Sequence, residues 1–126
     1  MRPELHVAKA RRILTAMQKL STLDHEMVIE AAMLAGTHLL NSTLHRESIT
    51  APVEDVLHAE YMTVALRTRT QLQLPGLVES LDAIEQLRPY HVRGNVPGGI
   101  EAAQAALRSL QHIREIGGYD VVLART

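Results

Sequence analysis

His38, Asn41, Ser42 and His45 stand three, four and seven residues apart counted from His38, a spacing that puts all four on one face of a helix. Asp55 and His58 form a second pair, three residues apart, on the next segment with helical patterning. Imidazoles and a carboxylate are the donors of borderline divalent cations. Were the two segments antiparallel neighbours, His45 and His58 would meet around the bend, and His38, His45, His58 and Asp55 would supply a metal set. Neither His-Glu-x-x-His nor the paired Glu-x-x-His of di-iron bundles occurs. The preferred reading therefore assigns no metal ligand and no cofactor, and keeps His38, Asn41, His45 and His58 as candidates for ligand binding or for helix-edge hydrogen bonding.

Arg88, His91 and Arg93 cluster around Pro89 at the start of a Gly- and Pro-rich stretch that closes with Gly98-Gly99. Arg grips phosphate through two parallel bonds, and a helix that starts at a glycine pair offers free amides, so an anion site is one reading. The other is that Arg88 caps the carbonyls of a helix end. The spacing is not that of a P-loop.

These groups need a scaffold, and the composition points to helices. Of 126 residues, 46% are apolar, yet the only aromatics are Tyr61, Tyr90 and Tyr119. Leu, Ala and Met fill the apolar positions and β-branched residues do not cluster. With no Cys, disulfides, thiolate metal sites and Cys nucleophiles are excluded. A net charge of -1 excludes a basic footprint over the whole surface, although eleven of the thirteen basic residues are Arg. No apolar run approaches the roughly twenty residues of a membrane span, and no signal-peptide core follows Met-Arg-Pro-Glu. A soluble, cytoplasmic protein without a membrane partner is expected.

Punctuation by Pro and Gly divides the chain into about five helices. The first runs from Pro3 to about Leu20, with Val7, Ala10, Leu14 and Met17 on its apolar stripe. The second runs from Ser21 or Asp24 to His45 or Arg46 and is almost wholly apolar between Met27 and Gly36, where Ala31, Ala32, Ala35 and Gly36 invite close helix approach. The third extends from a Thr50 cap and Pro52 through Leu57, Tyr61 and Val64 to Leu74. The fourth covers about 77 to 87, ended by Arg88-Pro89, and the fifth 100 to 116, stopped by Gly117-Gly118. This predicts an all-α antiparallel bundle over residues 1–118 with a tail at 119–126. The apolar second helix also predicts a homodimer.

The stretch Ala32 to Asn41, followed after a break by Asp55-Val56-Leu57-His58-Ala59-Glu60-Tyr61-Met62, resembles the small-residue second helix and His-led third helix of HEPN domains. Leu81 to Val92 and the Ala-rich helix from Glu101 to Arg114 are similar to that family's Leu-Arg helix end and closing helix. The resemblance implies an up-and-down bundle, often dimeric, with nucleotide binding, ribonuclease activity or a non-catalytic role. Active members carry an Arg followed after four to six residues by His. Here Arg108-Ser109-Leu110-Gln111-His112 has three residues between them, which still places Arg108 and His112 on one helical face. As a catalytic pair they would stabilise a phosphate and move a proton during RNA cleavage. The preferred reading is a non-catalytic HEPN-like module that self-associates and binds a partner protein or nucleotide. The alternatives are a metal-independent ribonuclease acting on RNA through Arg108 and His112, and a His-rich metal-binding bundle.

Overall fold

In the computed structural model, which describes residues 1–120, the protein is all-helical, as its Leu/Ala composition requires. Helix α1 spans Pro3–Met17, α2 His25–Arg46, α3 Val64–Gln73, α4 Leu77–Glu85, α5 the single turn Arg88–His91, and α6 Gly99–Gly117. A 3-10 turn at Ala59–Tyr61 interrupts the segment between α2 and α3. Of the expected tail, residues 121–126 lie outside the described residues.

Helix α2 is the hub, packed by α1, α4 and α6. Ile29, Ala32, Ala35, Leu39, Leu40 and Leu44 are all fully buried. At Gly36 the neighbours are so near that an added Cβ would fall 3.1 Å from Ile113 of α6 and 3.4 Å from Leu81 of α4. The small-residue run between Ala31 and Gly36 is thus where three helices meet.

Contacts at the helix ends give the directions. His6, early in α1, bonds to His38 in the second half of α2, so these two helices run antiparallel. His25 packs on Gly99, and Arg46 Nη1 donates to the Gly117 carbonyl at 2.9 Å, so α2 and α6 start together and end together. Arg88, just past α4, pairs with Glu30 near the start of α2, and Gly76 at the head of α4 lies against Ile116 near the end of α6. Helix α4 therefore runs opposite to both. Taken in the order α1, α2, α4 and α6, the helices alternate in direction.

Local chemistry explains the boundaries. Pro3 sits in the first turn of α1 with Glu4 beside it, where a missing N–H costs nothing and a negative charge is favoured. Helix α6 closes on Gly118 at φ 75°, with Gly118 N–H bonded to the Glu115 carbonyl and Tyr119 N–H to that of Arg114. Helix α2 ends on Ser48 at φ 56°, a left-handed position usually held by Gly. That turn sends Ile49 N–H back to the Leu44 carbonyl at 2.9 Å and brings Thr50 beside His45.

Two boundaries differ from expectation. Helix α3 does not start at Pro52. Its cap is Thr63, whose hydroxyl accepts from Leu66 N–H at 3.1 Å, and the preceding residues cross the bundle in an irregular path. Thr50 caps no helix, since none starts there, and its hydroxyl lies against His45 instead. Pro89 does not simply end α4 but lies in the first turn of α5. Tyr119 folds back into the bundle, donating to Ser42 Oγ at 2.7 Å.

Candidate functional site: a histidine and aspartate cluster

The irregular segment 51–63 is pinned at several points, and these place one carboxylate. Asn41, 1% exposed, accepts from Val56 N–H through Oδ1 at 2.7 Å and donates through Nδ2 to the Val56 carbonyl at 2.7 Å and to the Thr37 carbonyl at 2.9 Å. Glu85 accepts from Ala59 N–H at 2.9 Å, and Arg67 reaches both the Ala59 carbonyl and Asp82. Backbone groups that a longer α3 would have used internally are spent on these side chains, which is why the segment is not helical.

Asp55 is thereby held over the α1–α2 seam. Its Oδ1 accepts from His6 Nε2 and from His45 Nε2, each at 2.8 Å. His6 Nδ1 lies 2.9 Å from His38 Nδ1, and His45 Nδ1 lies 2.7 Å from Thr50 Oγ1. The His6 and His45 side chains are 3% and 0% exposed, while that of Asp55 is 29% exposed. The N-terminal ammonium of Met1 also reaches the Asp55 carboxylate, at 3.1 Å from Oδ2.

A carboxylate only accepts, so both Nε2 atoms carry protons in this arrangement. With neutral rings, Nδ1 of His45 then accepts from the Thr50 hydroxyl, and Nδ1 of His6 accepts from His38 Nδ1–H. Burial pushes the His6 imidazole below its ordinary value despite the hydrogen bond and charge of Asp55, which work the other way. His38 is lowered by burial and then by the charges of His6, Lys9 and Arg12. For Asp55 burial acts to raise the carboxyl, but hydrogen bonds from His45, His6 and the N-terminal ammonium outweigh it and hold the group well below the usual carboxylate range.

One ligand atom from each of His6, His45 and Asp55 lies within 4.8 Å of the others, close enough to share a cation. If both Nε2 atoms lost their protons to a bound cation, each ring would carry its proton on Nδ1. His6 Nδ1–H would then face His38, and His45 Nδ1–H would face Thr50 Oγ1. Such outer partners fix the orientation of metal-ligating histidines.

The residues singled out from sequence divide into separate places. His38, His45 and Asp55 come together, with Asn41 beneath them as a clamp on the backbone. His58 does not join them: it lies 3.4 Å from Glu85 and edge-on to Tyr61. It shares a cavity of about 260 Å³ with Arg88 and Arg93, where Glu60, Asp82 and Glu85 also line the wall. Arg88 is engaged with Glu30, whereas Arg93 is exposed in the loop that follows and His91 is half-buried at the end of α5. Arg108 and His112 are exposed on α6 and belong to no hydrogen bond or ion pair among the described residues.

His6 takes the place that the sequence reading reserved for His58. Its signal was its register: it stands four residues before Ala10 and seven before Ile13, so it lies on the buried stripe of α1. A histidine there needs a partner, and it has two.

No family model matches the chain, and no curated protein or solved structure matches it significantly. Among the described residues no helix is long and apolar enough to cross a membrane.

Proposed function

We propose that this chain is a metal-binding helical bundle that holds one divalent first-row cation on His6 Nε2, His45 Nε2 and Asp55. The observation that carries this reading is the convergence of two buried imidazoles on one carboxylate oxygen, each ring held from behind at its other nitrogen. Two nitrogens and an oxygen suit Zn²⁺, Fe²⁺ or Co²⁺, and three protein ligands leave positions open for water or substrate. The cation would act there as a Lewis acid on whatever oxygen donor filled an open position. Titration with Co²⁺, read by its visible absorption, tests the assignment. One equivalent should bind to the wild-type chain and to His58→Ala, and binding should be lost in His6→Ala, His45→Ala and Asp55→Ala. Equal binding by all five chains would reject the site.

A second reading, the self-associating HEPN-like module that binds a partner protein or nucleotide, draws on a different observation. Met27 and Leu34 are 61% and 47% exposed and stand seven residues apart on one face of α2, with the exposed Leu23 in the turn just before it. A second copy of the chain is the occupant that would cover this stripe. Sedimentation at micromolar concentration tests it: a dimer that Met27→Glu converts to monomer supports self-association, and a monomeric wild-type chain rejects it. The ribonuclease reading through Arg108 and His112 has their shared helical face as its support. Loss of RNA cleavage in Arg108→Ala with His112→Ala is its test.

A further inference from the structure

Beside the cluster lies a second cavity, of about 350 Å³, lined by Thr50, Asp55, Leu57, Tyr61, Met62 and Leu66 among others. Its size is at the small end of ligand pockets, roughly 300–1,000 Å³. The lining is mixed. Thr50 and Asp55, which touch the buried imidazoles, are joined by Glu54, His58 and Thr63 as polar groups, and Leu57, Met62 and Leu66 are apolar. Leu57 and Tyr61 are 73% and 74% exposed, so they contribute little to the core and leave their surfaces to the cavity mouth.

We infer that this cavity binds a small amphipathic molecule, an oxygen-donor head on an aliphatic body, whose head completes the coordination of a cation bound at Asp55. The inference rests on the metal reading proposed above. A cation bound by Asp55 sits about 2.0–2.2 Å from its carboxylate oxygen, and that carboxylate is part of the cavity wall. An oxygen donor entering from the cavity would therefore approach such a cation past the Asp55 carboxylate. Its hydrocarbon part then lies against Leu57, Met62 and Leu66 and is removed from water. A purely apolar molecule would leave Asp55 and Thr50 facing hydrocarbon, and a highly charged one would face the leucines, so neither fits as well.

The Co²⁺-loaded full-length chain provides the test, with acetohydroxamate and octanohydroxamate as probes and the visible spectrum as readout. Octanohydroxamate should bind at least about tenfold more tightly than acetohydroxamate, as expected if about two of its additional methylenes are buried. Leu57→Asn with Tyr61→Ser, both at exposed positions and checked for helical content by circular dichroism, should cut that advantage to about threefold or less. Equal affinity for the two probes in the Co²⁺-loaded chain would overturn this inference alone. Equally tight octanohydroxamate binding to metal-free protein, measured by titration calorimetry, would overturn it too, because the head would not be on the cation. Failure to take up Co²⁺ would overturn the metal reading and this inference together.

Discussion

Asn41 and Val56 exchange two hydrogen bonds of 2.7 Å, side chain to backbone in both directions. The pair joins the middle of α2 to the residue that follows Asp55, so the carboxylate is located from α2 itself, one turn before His45. An amide that reads both the N–H and the carbonyl of one residue fixes that residue's position and its orientation.

Asn41→Ala should therefore cost about 2–4 kcal/mol of stability, since it leaves buried backbone groups of Val56 unpaired. Cation affinity should fall roughly tenfold as well, as for loss of other outer-shell support. Denaturant unfolding and Co²⁺ titration measure the two. A drop in stability with unchanged cation affinity would show that the clamp does not position Asp55.

His38 bonds to His6 from behind, with Nδ1 to Nδ1 at 2.9 Å. As a positioning residue rather than a ligand, its replacement by Ala should weaken cation binding about 10- to 100-fold without changing the one-to-one stoichiometry. His38→Gln, which keeps hydrogen-bonding capacity, should recover part of the loss. Complete abolition of binding in both variants would instead make His38 a ligand.

Stability of the metal-free chain should fall with pH. His6 and His38 have folded-state pKa values below the ordinary 6.5, because burial disfavours their charged forms. Between those lowered values and 6.5 the unfolded chain binds more protons than the folded one. Their contribution is whole above about pH 7 and declines as pH falls through 6.5 toward the folded values. Asp55 adds a second decline further down: its carboxyl is held below the usual range, so its contribution is intact above about pH 4 and is lost in stronger acid. The melting temperature should drop from pH 7.5 to 5.5, and His38→Gln should flatten that slope. A melting temperature that rises on acidification over this interval would contradict the assignment.

Much of the scaffold was legible because its signals are local. Pro3 starts α1, Gly117-Gly118 stops α6, and the small residues ending at Gly36 mark the tightest helix contact, all as their residue types dictate. The site was half legible. His38 and His45 announce a shared face, and Asp55 a nearby carboxylate, but His6 comes from a helix whose register against α2 is set only by packing. The 51–63 segment misled for a related reason. Leu57, Tyr61 and Val64 recur at helical spacing, yet all three are largely exposed, and the backbone beside them is committed to Asn41 and Glu85. Competition between a helix and side chains from distant residues is decided by the tertiary fold, and no local pattern records it.

The most direct measurement is equilibrium dialysis of the purified chain against micromolar Zn²⁺ at pH 7.5, with metal counted per folded chain. One equivalent should be retained by the wild-type chain and none by Asp55→Ala with His45→Ala, checked for helical content by circular dichroism. A folded wild-type chain that retains no Zn²⁺, or a folded double variant that retains as much, would contradict a cation site at His6, His45 and Asp55.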